Sequence, residues 1–260
     1  MPPDPPPYVP GHGLLAGRSV VVTAAAGTGI GSAVARRALE EGARVLISDV
    51  HERRLGETAA RLGTETGIEP LTLRCDVTVE DDVTALVDGA AEQLDGIDVM
   101  VNNAGLGGTA ALVDMTDEQW STVVDVTLTG TFRCTRAALR HMTARGRGVI
   151  VNNASVLGWR AQAGQAHYAA AKAGVMALTR CAAVEAAATG VRVNAVAPSL
   201  AMHPFLAKVT SEELLTELTA REAFGRHAEP WEVANVIVFL ASDYSSYMTG
   251  EVVAVSSQHP

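Results

Sequence analysis

Arg18-Ser-Val-Val-Val-Thr23-Ala-Ala-Ala-Gly27-Thr-Gly29-Ile-Gly31-Ser-Ala-Val-Ala-Arg-Arg-Ala-Leu-Glu-Glu41 decides the fold. Its β-branched start reads as a buried strand. A glycine-rich turn follows, then a helical run from Ser32. Strand, turn and helix in that order make a cradle for a pyrophosphate. Glycines let backbone approach the ligand, and a helix start offers free N–H groups to the anion. Gly27, Gly29, Ile30 and Gly31 are therefore candidate cofactor contacts. The spacing departs from G-x-G-x-x-G, because Ser32 stands where the third glycine would be.

The rest of the chain repeats the alternation. Gly42 ends the first helix. A strand from Arg44 to Ser48 runs into Asp49, about twenty residues past the glycines. A carboxylate there accepts from a ribose hydroxyl and repels a 2′-phosphate. With no base at Val50 or Thr28, NAD is preferred, with NADP as the second candidate. A helix over 51–62 leads to a strand over 71–75, whose end, Asp76-Val77, faces an adenine site. An amphipathic helix over 80–94 precedes a strand over 97–101 and Asn102-Asn-Ala-Gly105, where small residues admit a cofactor and an asparagine ties strand ends. Thr116-Asp-Glu-Gln119 is a capping box opening a long helix towards Arg145. A strand over 148–153, a helix to about Ala188 and a strand over 191–197 broken at Pro198 follow. His203 to Phe224 is more polar and helical. Pro230 opens a helix through Leu240, and 250–255 is a last strand. This predicts a single α/β domain over 14–260: a Rossmann-type, doubly wound parallel sheet with helices on both faces. Residues 1–13, rich in proline, form a loose leader.

Composition excludes several classes. The formal net charge of −9 gives no general attraction for nucleic acid or anionic membranes. No apolar run approaches the ~20 residues that span a bilayer. The seven histidines show no metal-ligand spacing. Cys75, Cys134 and Cys181, unpaired in spacing, indicate a reducing, cytoplasmic setting and core packing.

The chemistry concentrates between Ser155 and Lys172. Tyr168-Ala-Ala-Ala-Lys172 sets a phenol and an ammonium on one helix face. The ammonium favours the phenolate, so the tyrosine should fall below its ordinary value near ~10 and exchange protons near neutral pH. Ser155, just past a strand end, is placed to hold the same substrate oxygen. Trp159, Arg160 and Gln165, between them, are the substrate-contact candidates.

Together, Thr23 with the glycines to Gly31, Asn102-Asn-Ala-Gly105, Ser155, Tyr168-x-x-x-Lys172 and Asn194-Ala-Val-Ala-Pro198 resemble the short-chain dehydrogenase/reductase family over residues 14–255. The resemblance implies a nicotinamide cofactor, a homotetramer or dimer, and roles. Tyr168 would be the general acid/base, Lys172 the ribose ligand that lowers its pKa, and Ser155 the group steering the substrate oxygen. Thr23, Asn103, Ala104, Gly105, Pro198 and Ser199 would join the cofactor site. Strings at 23–31, 48–55, 154–162 and 258–260 look like an actinobacterial branch of the family. That branch handles a hydroxy-hydrindane carboxyl-CoA thioester in cholesterol breakdown. The resemblance thus implies a small-molecule substrate, a bulky secondary alcohol or ketone. The alternatives are a 3-oxoacyl reductase, which would want a basic patch from Arg160, Arg221 and Arg226, and a non-catalytic NAD-binding scaffold.

Four departures from the family pattern stand out. The glycine loop is one residue longer, with Ala24 or Ala25 in place of the first glycine and Gly27 as its substitute. Thr127 occupies the usual active-site asparagine position, putting the proton relay there in doubt. Pro198-Ser199 replaces Pro-Gly, with His203 as candidate for holding the nicotinamide amide or for facing the substrate. Ser256-Ser-Gln258 replaces Asp-Gly-Gly near the C-terminus.

Overall fold

The computed structural model describes residues 4–202 and 212–257. Seven strands form one sheet in the order β3-β2-β1-β4-β5-β6-β7, every neighbouring pair parallel. They are β1 Ser19–Val22, β2 Arg44–Asp49, β3 Leu71–Arg74, β4 Val99–Asn102, β5 Gly148–Asn153, β6 Val191–Pro198 and β7 Val252–Val255. The helices are α1 Ile30–Glu40, α2 Glu52–Thr66, α3 Glu80–Gln93, α4 Asp117–Val124, α5 Gly130–Arg145, α6 Ala166–Ala186, α7 Glu212–Arg221 and α8 Pro230–Ala241.

Alternation along the strands divides the apolar residues between two cores. Val20 and Val22 pack with Val34 and Leu39 of α1, Leu55 and Leu62 of α2, and Ile237 of α8. Val21 faces the other way, towards Leu86 of α3, Met142 of α5 and Ala183 of α6. Both faces are therefore covered, which is why the strands read as continuous apolar runs. The chain moves outward from β1 in opposite directions, to β2 and to β4, so a crevice opens above the strand ends there.

Several boundaries differ from the sequence reading. Helix α2 passes Gly63 and stops only where Gly67 takes the left-handed conformation (φ 78°). The long helix from Thr116 begins on its capping box as expected, then widens into a π turn over Asp125–Thr129 before α5. Pro198 does not break β6: it is the last rung, opposite Val255, and the Ser199 N–H donates to the Val255 carbonyl. The stretch read as a loose leader is attached from Tyr8 onward. The Tyr8 hydroxyl donates to Glu40 and its ring meets Trp231 edge-on at 5.5 Å. Buried Glu41 accepts from the His12 and Leu14 N–H groups at 2.8 Å. These partners lie far along the chain, where local composition says nothing of them.

Candidate active site

A single cleft of about 1110 Å³ runs along the strand ends, lined by both the glycine loop and the Ser155–Lys172 stretch. Its cofactor half rests on the turn after β1. Ala24 takes a left-handed conformation (φ 50°), and Gly27 another (φ 96°). The longer loop thus turns twice, once on an alanine that bears the strain itself. Asn103 compensates: its amide donates to the Thr23 and Ala24 carbonyls at 3.2 and 3.0 Å. Gly31 is required by contact, since a Cβ there would lie 2.6 Å from the Ala24 carbonyl oxygen and from the Asn103 amide. Gly29 precedes the first turn of α1, which no side chain caps. Its free N–H groups can meet an anion.

Thr23 is buried, and its hydroxyl accepts from the Asn103 and Ala104 N–H groups. It therefore shapes the cleft from behind. Side-chain amides join the strand ends: Asn153 donates to Asn103 and Asn102 to Asn152, each at 2.9 Å. Helix α2 clamps the glycine loop, with the Gly27 N–H donating to Thr58 and Arg61 donating to the Gly27 carbonyl, both at 2.8 Å. The sequence reading missed Thr58 and Arg61, since nothing local marks a helix that folds back over a loop 30 residues earlier.

Asp49 lies on the cleft wall, its carboxylate accepting from the Ala26 and His51 N–H groups at 3.1 and 3.0 Å. Burial raises its pKa, against the Ala26 N–H, nearby Arg54 and the Val50 N–H. Arg54, in the first turn of α2, lines the same wall, a base that the immediate neighbours Val50 and Thr28 do not reveal. Asp76 and Val77 line it too, Asp76 fixed by the Thr78 N–H and hydroxyl, which hold its carboxyl below the ordinary range.

At the other end Ser155, Tyr168 and Lys172 come together. Ser155 begins a short turn, accepts from the Leu157 N–H at 3.2 Å, and is hydrogen-bonded with the Tyr168 phenol. The buried Lys172 ammonium donates to the Asn153 carbonyl and sits 5.5 Å from the centre of the Tyr168 ring. Gly105 makes room for it: a Cβ there would be 3.2 Å from Nζ. One expectation is overturned here. Tyr168 is not lowered; burial pushes it up to about 12, with Ser155 acting the other way. Lys172 is pulled down to about 7 by burial. The amine points at a carbonyl, and desolvation decides the shift of the phenol.

Thr127 lies in the π turn, fully buried. Its hydroxyl accepts from the Leu106 N–H at 3.0 Å and donates to the Leu106 carbonyl at 3.1 Å. Both of its functions are spent on the backbone beside Gly105, so it positions that loop. Gln165 and Arg160 line the cleft, and the Gln165 amide donates to the Gly108 carbonyl at 2.8 Å. Trp159 instead borders a shallow adjoining hollow with Leu112 and Gly164, and is half exposed. Pro198 and Ser199 line the cleft, while His203 lies outside the described residues. Among the described residues no metal-ligating cluster occurs, and no helix is long and apolar enough to cross a membrane.

The family model described as enoyl-(acyl carrier protein) reductase matches residues 24–257. The chain belongs to the short-chain dehydrogenase/reductase family. This oxidoreductase is 65% identical to (5R,7aS)-5-hydroxy-7a-methyl-1-oxo-2,3,5,6,7,7a-hexahydro-1H-indene-carboxyl-CoA reductase of Mycobacterium tuberculosis, over 98% of each chain. It is 47% identical to cis-4-hydroxycyclohexanecarboxylate dehydrogenase of Sinomonas cyclohexanicum, covering 93% of this chain and 96% of that one. Among solved structures it matches a short chain dehydrogenase from Mycobacterium smegmatis, with a TM-score of 0.88 and 59% identity over 99% of both chains. A nicotinamide cofactor goes with the family. The glycine loop with the free start of α1 suits its pyrophosphate, Asp49 its ribose, and the Lys172 end its nicotinamide half.

Proposed function

We propose that this oxidoreductase interconverts a ring secondary alcohol and its ketone on a carboxyl-CoA thioester of a hydrindane skeleton, with NAD as cofactor. The observation that carries the reading is the meeting of Ser155, Tyr168 and Lys172 at one end of a cleft whose other end is a glycine-rich turn before a helix start. The substrate class is supported by the relative that reduces a hydroxy-indene carboxyl-CoA and by a second that acts on a ring hydroxy acid.

In this reading the Tyr168 hydroxyl gives its proton to, or takes it from, the substrate oxygen, and Ser155 holds that oxygen. The cofactor supplies or accepts the hydride. Lys172 orders the ribose. A charged Lys172 beside the phenol, once a ligand reorients it from the Asn153 carbonyl, would bring Tyr168 down from about 12. Asp49 favours NAD, and Arg54 on the same wall keeps the preference over NADP finite. An acyl-carrier reductase is less well supported. Arg226 is paired with Glu232 at 2.7 and 2.8 Å and Arg221 with Glu217, so two of the three arginines of the basic patch are already matched by carboxylates. Exposed Trp120 and Phe132 on α4 and α5 favour a homo-oligomer, and the three free cysteines a cytoplasmic setting.

The test is cofactor reduction with hydroxylated ring CoA thioesters, the matching free acids and 3-hydroxyacyl thioesters. A kcat/KM at least about a hundredfold higher for the ring thioester is expected. Equal rates on linear 3-hydroxyacyl thioesters overturn the substrate assignment.

A further inference from the structure

Glu222 is charged and almost fully buried (4% exposed), yet it belongs to neither half of the catalytic machinery. It follows directly on α7, where its own N–H donates to the Thr219 carbonyl at 3.1 Å. One carboxylate oxygen accepts from the Ser199 hydroxyl at 3.1 Å and the Ser257 hydroxyl at 2.9 Å. The other accepts from the Leu200 N–H at 3.4 Å. Three segments distant in sequence thus share one carboxylate: the exit from β6, the end of α7 and the residues after β7.

Each is tied to the others a second time by backbone. The Ala223 N–H donates to the Ser257 carbonyl at 3.2 Å, and the Ala228 N–H to the Leu200 carbonyl at 2.8 Å. Ser199 and Ser257 stand where this chain departs from the glycines of the family pattern. The structure brings both departures to the same oxygen. Glycine at either place offers no side-chain donor, so the two serines and the glutamate form one device.

Position gives it a purpose. Ser199, Leu200, Ala201, Leu218 and Arg221 line the cleft beyond Tyr168. Up to Pro198 the chain is held by the sheet, and the Ser199 N–H is held by the Val255 carbonyl. From Leu200 on, no strand neighbour continues; a bridge between Ala201 and Ala228 and the Glu222 carboxylate take over.

We propose that Glu222, through Ser199, Ser257 and the Leu200 N–H, is the positioning residue of the substrate-side wall, and that it fixes substrate fit without touching substrate. This rests on the reading of the cleft as a ring-thioester site. Charge-assisted bonds of this kind are the strong ones, so their loss should be plain in binding. The glycine loop and Asp49 lie at the far end of the cleft, so cofactor affinity should change less than substrate fit, with Ser199 shared by the two halves.

The experiment compares Glu222→Ala, Glu222→Gln, the pair Ser199→Gly with Ser257→Gly, and the triple variant, with bound cofactor throughout. Glu222→Ala should raise the KM for the ring thioester about tenfold while kcat falls by less than about threefold. The cofactor dissociation constant should rise by less than the KM does. Glu222→Gln, which keeps one accepting oxygen, should fall between. The triple variant should be no worse than Glu222→Ala, since all three groups act as one unit. Amide exchange at Leu200 should accelerate about tenfold in Glu222→Ala, a readout that needs no turnover. Unchanged Leu200 protection, or additive effects of the serine and glutamate changes, overturns the proposal. A parent enzyme that ignores the thioester but whose Leu200 exchange responds as stated would overturn the substrate reading alone.

Discussion

The two halves of the cleft are built by different means. On the cofactor side, loops emerge from adjacent parallel strands and are cross-linked by buried amides, with Asn103 bridging β1, β4 and β5 and Asn102 bridging β4 and β5. Backbone is packed so tightly that Gly31 admits no Cβ. On the substrate side, residues 156–165 and 199–202 leave the sheet and are held by a few side chains, Gln165 and Glu222 among them, and by isolated backbone bonds such as that from the Ala228 N–H to the Leu200 carbonyl. A wall held by a few side chains and isolated backbone bonds can be reshaped by few substitutions. A wall held by three strands cannot. Relatives that share a cofactor fold while differing in substrate are the expected result.

The largest effect expected is at the junction of the halves. Tyr168→Phe removes one hydroxyl and should cut kcat by about 10²-fold or more, within the range for general acid/base groups. Cofactor affinity, measured by titration, should barely move. A parent-like rate would dissolve the junction altogether.

Next comes the rigid half. Gly31→Ala forces a methyl to 2.6 Å from a carbonyl oxygen and an amide that have no room to yield. Cofactor binding should weaken by at least about tenfold, or the melting temperature drop, in line with overpacking costs of about 1–3 kcal/mol. The same substitution at Gly107, with the nearest side-chain atom at 4.0 Å, should be mild. Similar losses at both sites would contradict the contrast in rigidity.

Lys172→Met separates function from stability. The folded-state pKa of about 7 lies below the ordinary 10.5, so between those values the unfolded chain binds a proton that the folded chain does not. Stability of the cofactor-free protein should therefore rise with pH across that window, and the full penalty applies below about pH 7. The methionine variant should lose activity, melt higher at neutral pH and show none of that rise. A parent whose melting temperature is flat from neutral to alkaline pH would remove the desolvation argument.

Smaller effects probe the loop and the ribose. Thr127→Val deletes both bonds to Leu106 and should lower kcat/KM by about tenfold through a looser 105–107 segment, consistent with about 1–2 kcal/mol for such bonds. The shape of the pH–rate profile should be unchanged. A displaced profile would return Thr127 to the proton path. Asp49→Ser should narrow the preference for NAD over NADP, since Arg54 then faces the 2′-phosphate alone. Arg54→Ala in that background should restore it.

Periodicity, glycines and the Tyr168–Lys172 spacing were enough to determine the class of fold and the order of its strands and helices along the chain, and to pick out Tyr168 and Lys172, which the fold brings into one cleft with Ser155. Those features are local: a buried parallel strand must be apolar throughout, a phosphate turn must be glycine-rich, and i, i+4 shares a helix face. Tertiary structure alone decided the rest. It spent the Thr127 hydroxyl on Leu106, moved Trp159 to an adjoining hollow, put Arg54 beside Asp49, and fastened the proline-rich start to α1. It also reversed the expected shift at Tyr168, because desolvation depends on everything packed around a group and not on its neighbour four residues along. Ser199, Glu222 and Ser257 carry no shared pattern in the chain. They became one unit only when three distant segments folded onto the same carboxylate.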